Sequence, residues 1–272
     1  MKIIKNIKTF IRFQIIGIKM GIRYDLENKT NFILSIILSP IWFLIQLIIF
    51  ESIYSQTADF LGYTKDQSFF LVGIYTLINS IGYMFLYRKL SELIQLIKGD
   101  GRASFDMIVT KPIDSQIYAT TGGFYVSQIP GFFLGLYLFL TGLSRLNLTF
   151  DPLRVLGFVI LFIGGIIMFY LSYLLFVIIG FWTEISPDAV EGVWDAGSEI
   201  SKYPGNVFNG LIRSVFTYLF PVLLMGTIPS DYLLGKVPLS SILFYILSLI
   251  IFFIISRFIW KISIKRYGSS GS

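Results

Sequence analysis

The sequence predicts an all-α, polytopic membrane protein. Six transmembrane helices follow an N-terminal interfacial amphipathic helix, and short cytosolic helices join some of the spans. Three observations carry this. First, 55% of the 272 residues are hydrophobic and only 14% are charged, where soluble domains run near 45–50% and about 25%. Second, mean hydropathy is +0.75, and the apolar residues fall in blocks of about 20, the length that crosses a bilayer as a helix. Third, aromatics reach 17%, a content that suits lipid contact and interfacial belts.

Residues 1–29 form the first predicted unit. Ile4, Ile7, Ile11, Ile15, Ile18 and Ile22 recur at spacings of three and four, with Lys2, Lys5, Lys8, Arg12, Lys19 and Arg23 opposite. A basic helix with an apolar stripe lies in the interface of an anionic leaflet. It reads as an anchor, or as an elbow that moves with the bundle. Its basic residues are too dispersed for a cleavable signal peptide. Residues 30–267 form the membrane domain, and Gly268–Ser272 read as an appended linker.

The spans are expected near 31–54, 67–87, 116–143, 152–182, 207–228 and 238–260. Pro40 is predicted to kink the first, and Pro130 and Pro221 lie inside the third and fifth. Lys and Arg set the orientation. They crowd before span one, between spans two and three, at the start of span five (Lys202, Arg213) and after span six. Only Lys65, Arg145, Arg154 and Lys236 fall on the other side. Both termini are therefore expected in the cytosol of a bacterial cell, with the protein in its inner membrane. The sequons at Asn28 and Asn147 carry no weight.

The longest charged interruption is Arg88–Ser115. Leu90, Leu93, Ile94 and Ile97 repeat at helical spacing, with Lys89, Glu92, Gln95 and Lys98 opposite. This predicts a short amphipathic helix stopped by Gly99 and a turn through Gly101. A second cytosolic helix is expected after span four. Ser186 caps it, Pro187 takes its first position, and Asp188, Glu191, Asp195 and Glu199 make an acidic stripe beside Val190, Val193 and Trp194. An anionic leaflet would repel that stripe, so it is expected to face water or a protein partner. Gly226–Gly235 reads as a turn-rich connection along the outer face.

The chain has no Cys and no His. Zinc sites, thiol nucleophiles, histidine-dependent intramembrane proteolysis and histidine-ligated haem are excluded. There is no phosphate-loop motif and no paired-carboxylate metal motif, so a lipid transferase is disfavoured and no cofactor is expected on the chain. Net charge of +6 calls for no nucleic acid in a membrane protein; the bilayer is its expected surroundings. No ionisable residue falls at the centre of a predicted span, which argues against a self-powered ion-coupled transporter. Three amides lie near mid-depth: Gln46, Asn79 and Gln128. They read first as hydrogen-bonded helix glue, and second as the lining of a transport path.

These features resemble the six-span permeases of type-2 ABC exporters. The matching residues are Phe105-Asp106 with Lys111-Pro112 after span two, Phe181-Trp182 after span four, and Ser201-Lys202-Tyr203-Pro204. Pro221, and then Pro229 with Leu233-Leu234-Gly235, complete the set. The resemblance implies a permease subunit of an exporter, with ATP and magnesium held by a separate cytosolic ATP-binding-cassette ATPase dimer. It implies a second permease, identical or homologous, and coupling helices at the inner face. On that implication Leu90, Glu92, Leu93, Ile94 and Ile97 dock the ATPase, with Asp188, Glu191 and Trp194 as a second contact. The alternative is a substrate-capturing six-span component of an energy-coupling vitamin importer.

Overall fold

A computed structural model describes residues 2–97, 105–111, 114–146, 148, 151–183 and 185–266. The chain is almost wholly helical. One two-stranded hairpin pairs Asp59 with Thr64 and Phe60 with Tyr63. Four described helices are long and apolar enough to cross a membrane: Lys65–Ile97, Val126–Arg145, Pro152–Phe181 and Ser240–Lys265. A fifth candidate is a helix pair bent by 100°.

Helix α1 (Lys2–Glu27) stands where the isoleucine spacing places it. Ile11, Ile15 and Ile22 are exposed. Docking to the body uses Phe13, Gly17, Gly21 and Asp25, spaced by four on the other side of the helix. Phe13 stacks on Tyr118 at 5.3 Å. A Cβ at Gly17 would lie 1.8 Å from the Gly122 carbonyl oxygen, so the two backbones touch. Arg88 closes this joint. It donates to the carbonyls of Gly21 (3.2 Å) and Phe124 (2.7 Å) and to Asp25 (2.9 Å). Asp25 in turn accepts the Val126 N–H at 2.8 Å.

Helix α2 (Lys29–Gln56) runs unbroken through position 40. The hairpin strands β1 (Asp59–Phe60) and β2 (Tyr63–Thr64) turn the chain into α3 (Lys65–Gly82), which starts on a capping box between Thr64 and Gln67. A π-helical turn, Tyr83–Tyr87, then leads without interruption into α4 (Arg88–Ile97). The helix expected to stand apart from span two is thus the C-terminal end of one long rod. Its proposed stop at Gly99 and the turn through Gly101 lie outside the described residues.

Helices α5 (Asp106–Val109) and α6 (Ser115–Thr120) precede a break at 121–125. A 3-10 turn, Val126–Gln128, and α7 (Ile129–Arg145) follow. The third span is therefore shorter than expected. Pro130 sits in the first turn of α7, where its missing N–H is harmless, and not inside a kinked helix. Helix α7 lies along α3 because glycines let the backbones meet: a Cβ at Gly73 would come within 2.7 Å of Phe139 N, and one at Gly135 within 2.8 Å of Leu77 N.

Helix α8 (Pro152–Ile178) begins on an Asp151 cap with Pro152 in its first turn. Helix α9 (Pro187–Ser198) is capped by Ser186 as the sequence predicts. Its surroundings are unexpected. Trp194 is fully buried against Phe169, Tyr173 and Phe176 of α8 and against Phe220. The chain continues through 3-10 turns Glu199–Lys202 and Gly205–Val207. On the way Tyr203 stacks on Phe50 at 5.9 Å, and Asn206 donates to the Leu61 carbonyl at 3.5 Å. Residues 187–207 thus reach from the α8 C-terminus to the β-hairpin that joins α2 to α3.

The fifth expected span, 207–228, is not one rod. Helix α10 (Gly210–Ser214) and the π turn Val215–Leu219 meet α11 (Leu223–Leu233) at the 100° bend around Pro221. Both arms return to the β-hairpin level. Asn206, just before α10, bonds Leu61, while Asp231 on α11 accepts from Tyr63. Gly226–Leu233, read as a turn-rich connection, is helical and largely buried. Helix α12 (Ser240–Arg266) closes the fold.

Candidate functional site

Span two carries Tyr75, Asn79, Tyr83, Tyr87 and Ser91, one polar group every fourth residue. Spacing of four puts them in a row on one helix face. Helix α9 and its 3-10 extension carry Glu191, Asp195 and Glu199 at the same spacing, running the opposite way. The rows join rung by rung: Ser91 donates to Glu191, Tyr83 to Asp195, and Tyr75 to Glu199 at 3.3 Å. Of the acidic stripe expected to face water or a partner, Glu191, Asp195 and Glu199 accept from hydroxyls of their own chain, while Asp188 is exposed and Asp195 keeps an exposed side.

At the top of this ladder a cleft of about 590 Å³ opens between α2, span two and the start of α7. Gln46, Asn79 and Gln128 all line it, with Tyr75, Ser80, Tyr125, Ser127 and Glu199. A smaller space of about 310 Å³ shares Asn79, Gln128 and Glu199 and extends to Tyr83, Asp195 and Ser198. The three mid-depth amides come from three different helices and converge here. Only part of their hydrogen-bonding capacity is used between helices. Gln46 donates to Glu199 at 3.1 Å, and Asn79 donates to the Tyr75 hydroxyl at 2.6 Å.

Glu199 also pairs with Lys202, whose side chain is 9% exposed. Among the described residues Asp195 has no ion-pair partner. Lys202 is buried beside the part-buried Glu199, whereas Asp195 is exposed. Nothing local to 187–207 marks these acids as joining span two. The tyrosine and amide repeat along 75–91 was the available signal. A row of hydroxyls in an apolar helix calls for buried partners.

The predicted docking residues fall elsewhere than expected. Leu90, Leu93 and Ile94 are fully buried, and so is Trp194. They pack the core under α8 and are not a surface for a partner; their amphipathic spacing marked an inward face. Ile97 is partly buried and packs against the same core. Glu92 stays partly exposed and pairs with Lys89 at 2.7 Å. Asp188 is exposed, and Glu191 is engaged by Ser91.

The C-terminal part of α12 clamps residues 114–116. Arg257 holds Asp114 at 2.5 Å and Gln116 at 2.8 Å, and the Trp260 indole donates to Ser115 at 3.1 Å. The Arg257 guanidinium keeps the Asp114 carboxyl below its ordinary range. Phe105 is fully buried and packs edge-on against Phe181 and Trp260, at 5.4 and 6.0 Å. Two of the short motifs, Phe105-Asp106 and Phe181-Trp182, thus meet at one aromatic joint.

No curated protein and no solved structure matches this chain. A family model described as "ABC-2 family transporter protein" matches residues 40–271, which takes in the greater part of α2, all the later helices, the cleft lining apart from Leu38 and the α12 clamp. The chain belongs to the ABC-2 family of transporter proteins: it is a multi-pass membrane permease of an ABC transporter, the component that works with an ABC ATPase.

Proposed function

We propose that the chain is the permease of an exporter, that the cleft is its substrate path, and that both termini are cytosolic in a bacterial inner membrane. The observation that carries this is the convergence of Gln46, Asn79 and Gln128 on one cleft. Helix glue alone would scatter amides over separate helix contacts; three in one cavity of this size suit a bound solute. The wall between them is largely apolar, which suits an amphiphilic cargo.

Helix α2, 28 residues long, supplies the first crossing, and residues 187–207 supply the fifth. The α10–α11 pair is then a re-entrant hairpin from the outer side, which keeps both ends of the chain on one side with six crossings. Irregular backbone at membrane depth is tolerated where it is buried in protein or lines a cavity. This route moves Arg213 to the outer face and Lys202 into the bundle, against the sequence expectation.

An ATPase dimer, serving two permeases, meets the inner end of the long rod and its neighbours. With the apolar residues of α4 buried, the contact falls to Glu92, Gln95, Asp188 and the exposed Met107. ATP and magnesium stay on the ATPase. The test is ATP-driven efflux from cells or vesicles carrying the chain with its ATPase. Gln46→Leu with Asn79→Leu should abolish efflux while the ATPase still co-purifies. Full efflux by that double variant, or no ATPase in the purified complex, overturns the reading.

A further inference from the structure

We infer that the cleft selects a cationic amphiphile, its positive group lodging against Asp195 and Glu199; this rests on the cleft being a substrate path.

The charges that face the two joined spaces are both acidic, Asp195 and Glu199. The nearby cations are spoken for and lie behind the wall. Lys202 is outside the lining and bound to Glu199. Arg88 sits behind Tyr125, 5.4 Å from its ring centre, and is bound to Asp25. Asp195 has only the Tyr83 hydroxyl and no ion pair among the described residues. Asp195 is exposed and lines the smaller space, so a carboxylate with no counter-ion among the described residues faces whatever enters there.

A second observation points to a missing guest. Ser127 is 4% exposed, lines the cleft, and its Oγ has no hydrogen-bond partner among the described residues. An unsatisfied buried hydroxyl costs free energy that a ligand acceptor or donor would recover. Tyr75, Tyr83 and Tyr125 put three aromatic residues in the lining of the two spaces, the residue type that attracts organic cations. The apolar remainder of the wall, with Leu38, Ile41 and Leu134, accommodates a hydrophobic body. Negative charge, aromatic faces and apolar wall together describe a bulky organic cation better than an acid or a sugar.

The probes are tetraphenylphosphonium and tetraphenylborate, equal in shape and opposite in charge. Binding of each to the purified full chain in detergent is measured at equilibrium. The expected result is saturable binding of the phosphonium, weakened about tenfold or more by Asp195→Asn and by Glu199→Gln, with the borate failing to compete. Glu27→Gln, an exposed acid on α1, should change nothing. Asp195→Asn keeps the Tyr83 contact and disturbs no ion pair, so it reports even where Glu199→Gln misfolds. Equal competition by the borate overturns the charge selectivity and leaves the cleft standing as a binding site. Phosphonium binding unchanged in Asp195→Asn also overturns it. Saturable binding of neither ion sinks both the inference and the cleft, whereas loss of the ATPase partner would touch only the reading beneath it.

Discussion

Gln46 on α2 donates a 3.1 Å hydrogen bond to Glu199, 153 residues away. The bond ties the first long apolar helix to the acidic row that follows α8, and it sits on the cleft wall. Glu199 is thereby shared among Gln46, Tyr75 and Lys202. It is the residue at which cleft lining and scaffold coincide.

The route of residues 187–207 predicts an outer-face position for Asn206. The chain contains no cysteine, so single cysteines report without background. A cysteine at Asn206 should react with a membrane-impermeant maleimide added to intact cells. One at Lys261 should react only after the cells are opened. Labelling of position 206 from the cytosolic side alone would restore the straight fifth span over 207–228.

Trp194 separates core from docking surface. Trp194→Ala should destabilise the chain by about 3–5 kcal/mol, as large-to-small core changes do, and lower the melting midpoint in detergent. Asp188→Ala should shift stability by less than about 0.5 kcal/mol. A Trp194→Ala protein of normal melting behaviour that fails only to bind its ATPase would return this residue to the interface.

Arg88 is nearly buried, with its side chain 12% exposed and that of Asp25 6% exposed. Arg88→Ala removes three hydrogen bonds at once and leaves the Asp25 charge without its partner. Loss of one member of a buried pair costs about 3–5 kcal/mol. Helix α1 should then come loose and be clipped quickly by protease, while α3 to α12 keep their helicity. Unchanged proteolysis of α1 would show that the Gly17–Gly122 contact suffices.

Acid should weaken the α12 clamp. The folded Asp114 carboxyl lies below the ordinary value of 3.8, chiefly through its hydrogen bonds to Arg257. A depressed carboxylate stabilises the fold above its unfolded pKa and loses that contribution as pH falls through the folded one. The stability difference between the parent and Asp114→Asn should hold constant from about pH 5 upward and shrink below about pH 4. A difference independent of pH down to 3 would remove the ionic part of the clamp.

Much of the helical framework was legible because its signals are local. Ser186 and Pro187 start α9 as capping rules require; the apolar block near 152–182 gave the fourth expected helix within a residue or so, and that near 67–87 gave the start of the second but not its end, which runs on to Ile97. Pro130 and Pro221 were harder. A proline reads alike inside a helix, in its first turn or at a sharp bend, and only the packing of neighbours decides among these. The clearest misreading was of 187–207. Glu191, Asp195 and Glu199 gave no local sign of their hydroxyl partners, which lie 100 or more residues away on span two. The amphipathic pattern of α4 gave the helix but not which face was inside, since a buried stripe and a docking stripe share the same spacing.

Span two and α4 form one continuous helix of 33 residues, about 50 Å long at 1.5 Å per residue, against a hydrocarbon layer of about 30 Å. Arg88 anchors this rod to α1 roughly 14 Å from Ile97 and roughly 20 Å from Tyr75. Neighbours also grip it on both sides of that anchor: α7 meets it at Gly73 and Leu77, and its Leu90, Leu93 and Ile94 are buried in the core. A push at Ile97 can therefore reach Tyr75 and Asn79 only by carrying α1, α7 and the core along with the rod.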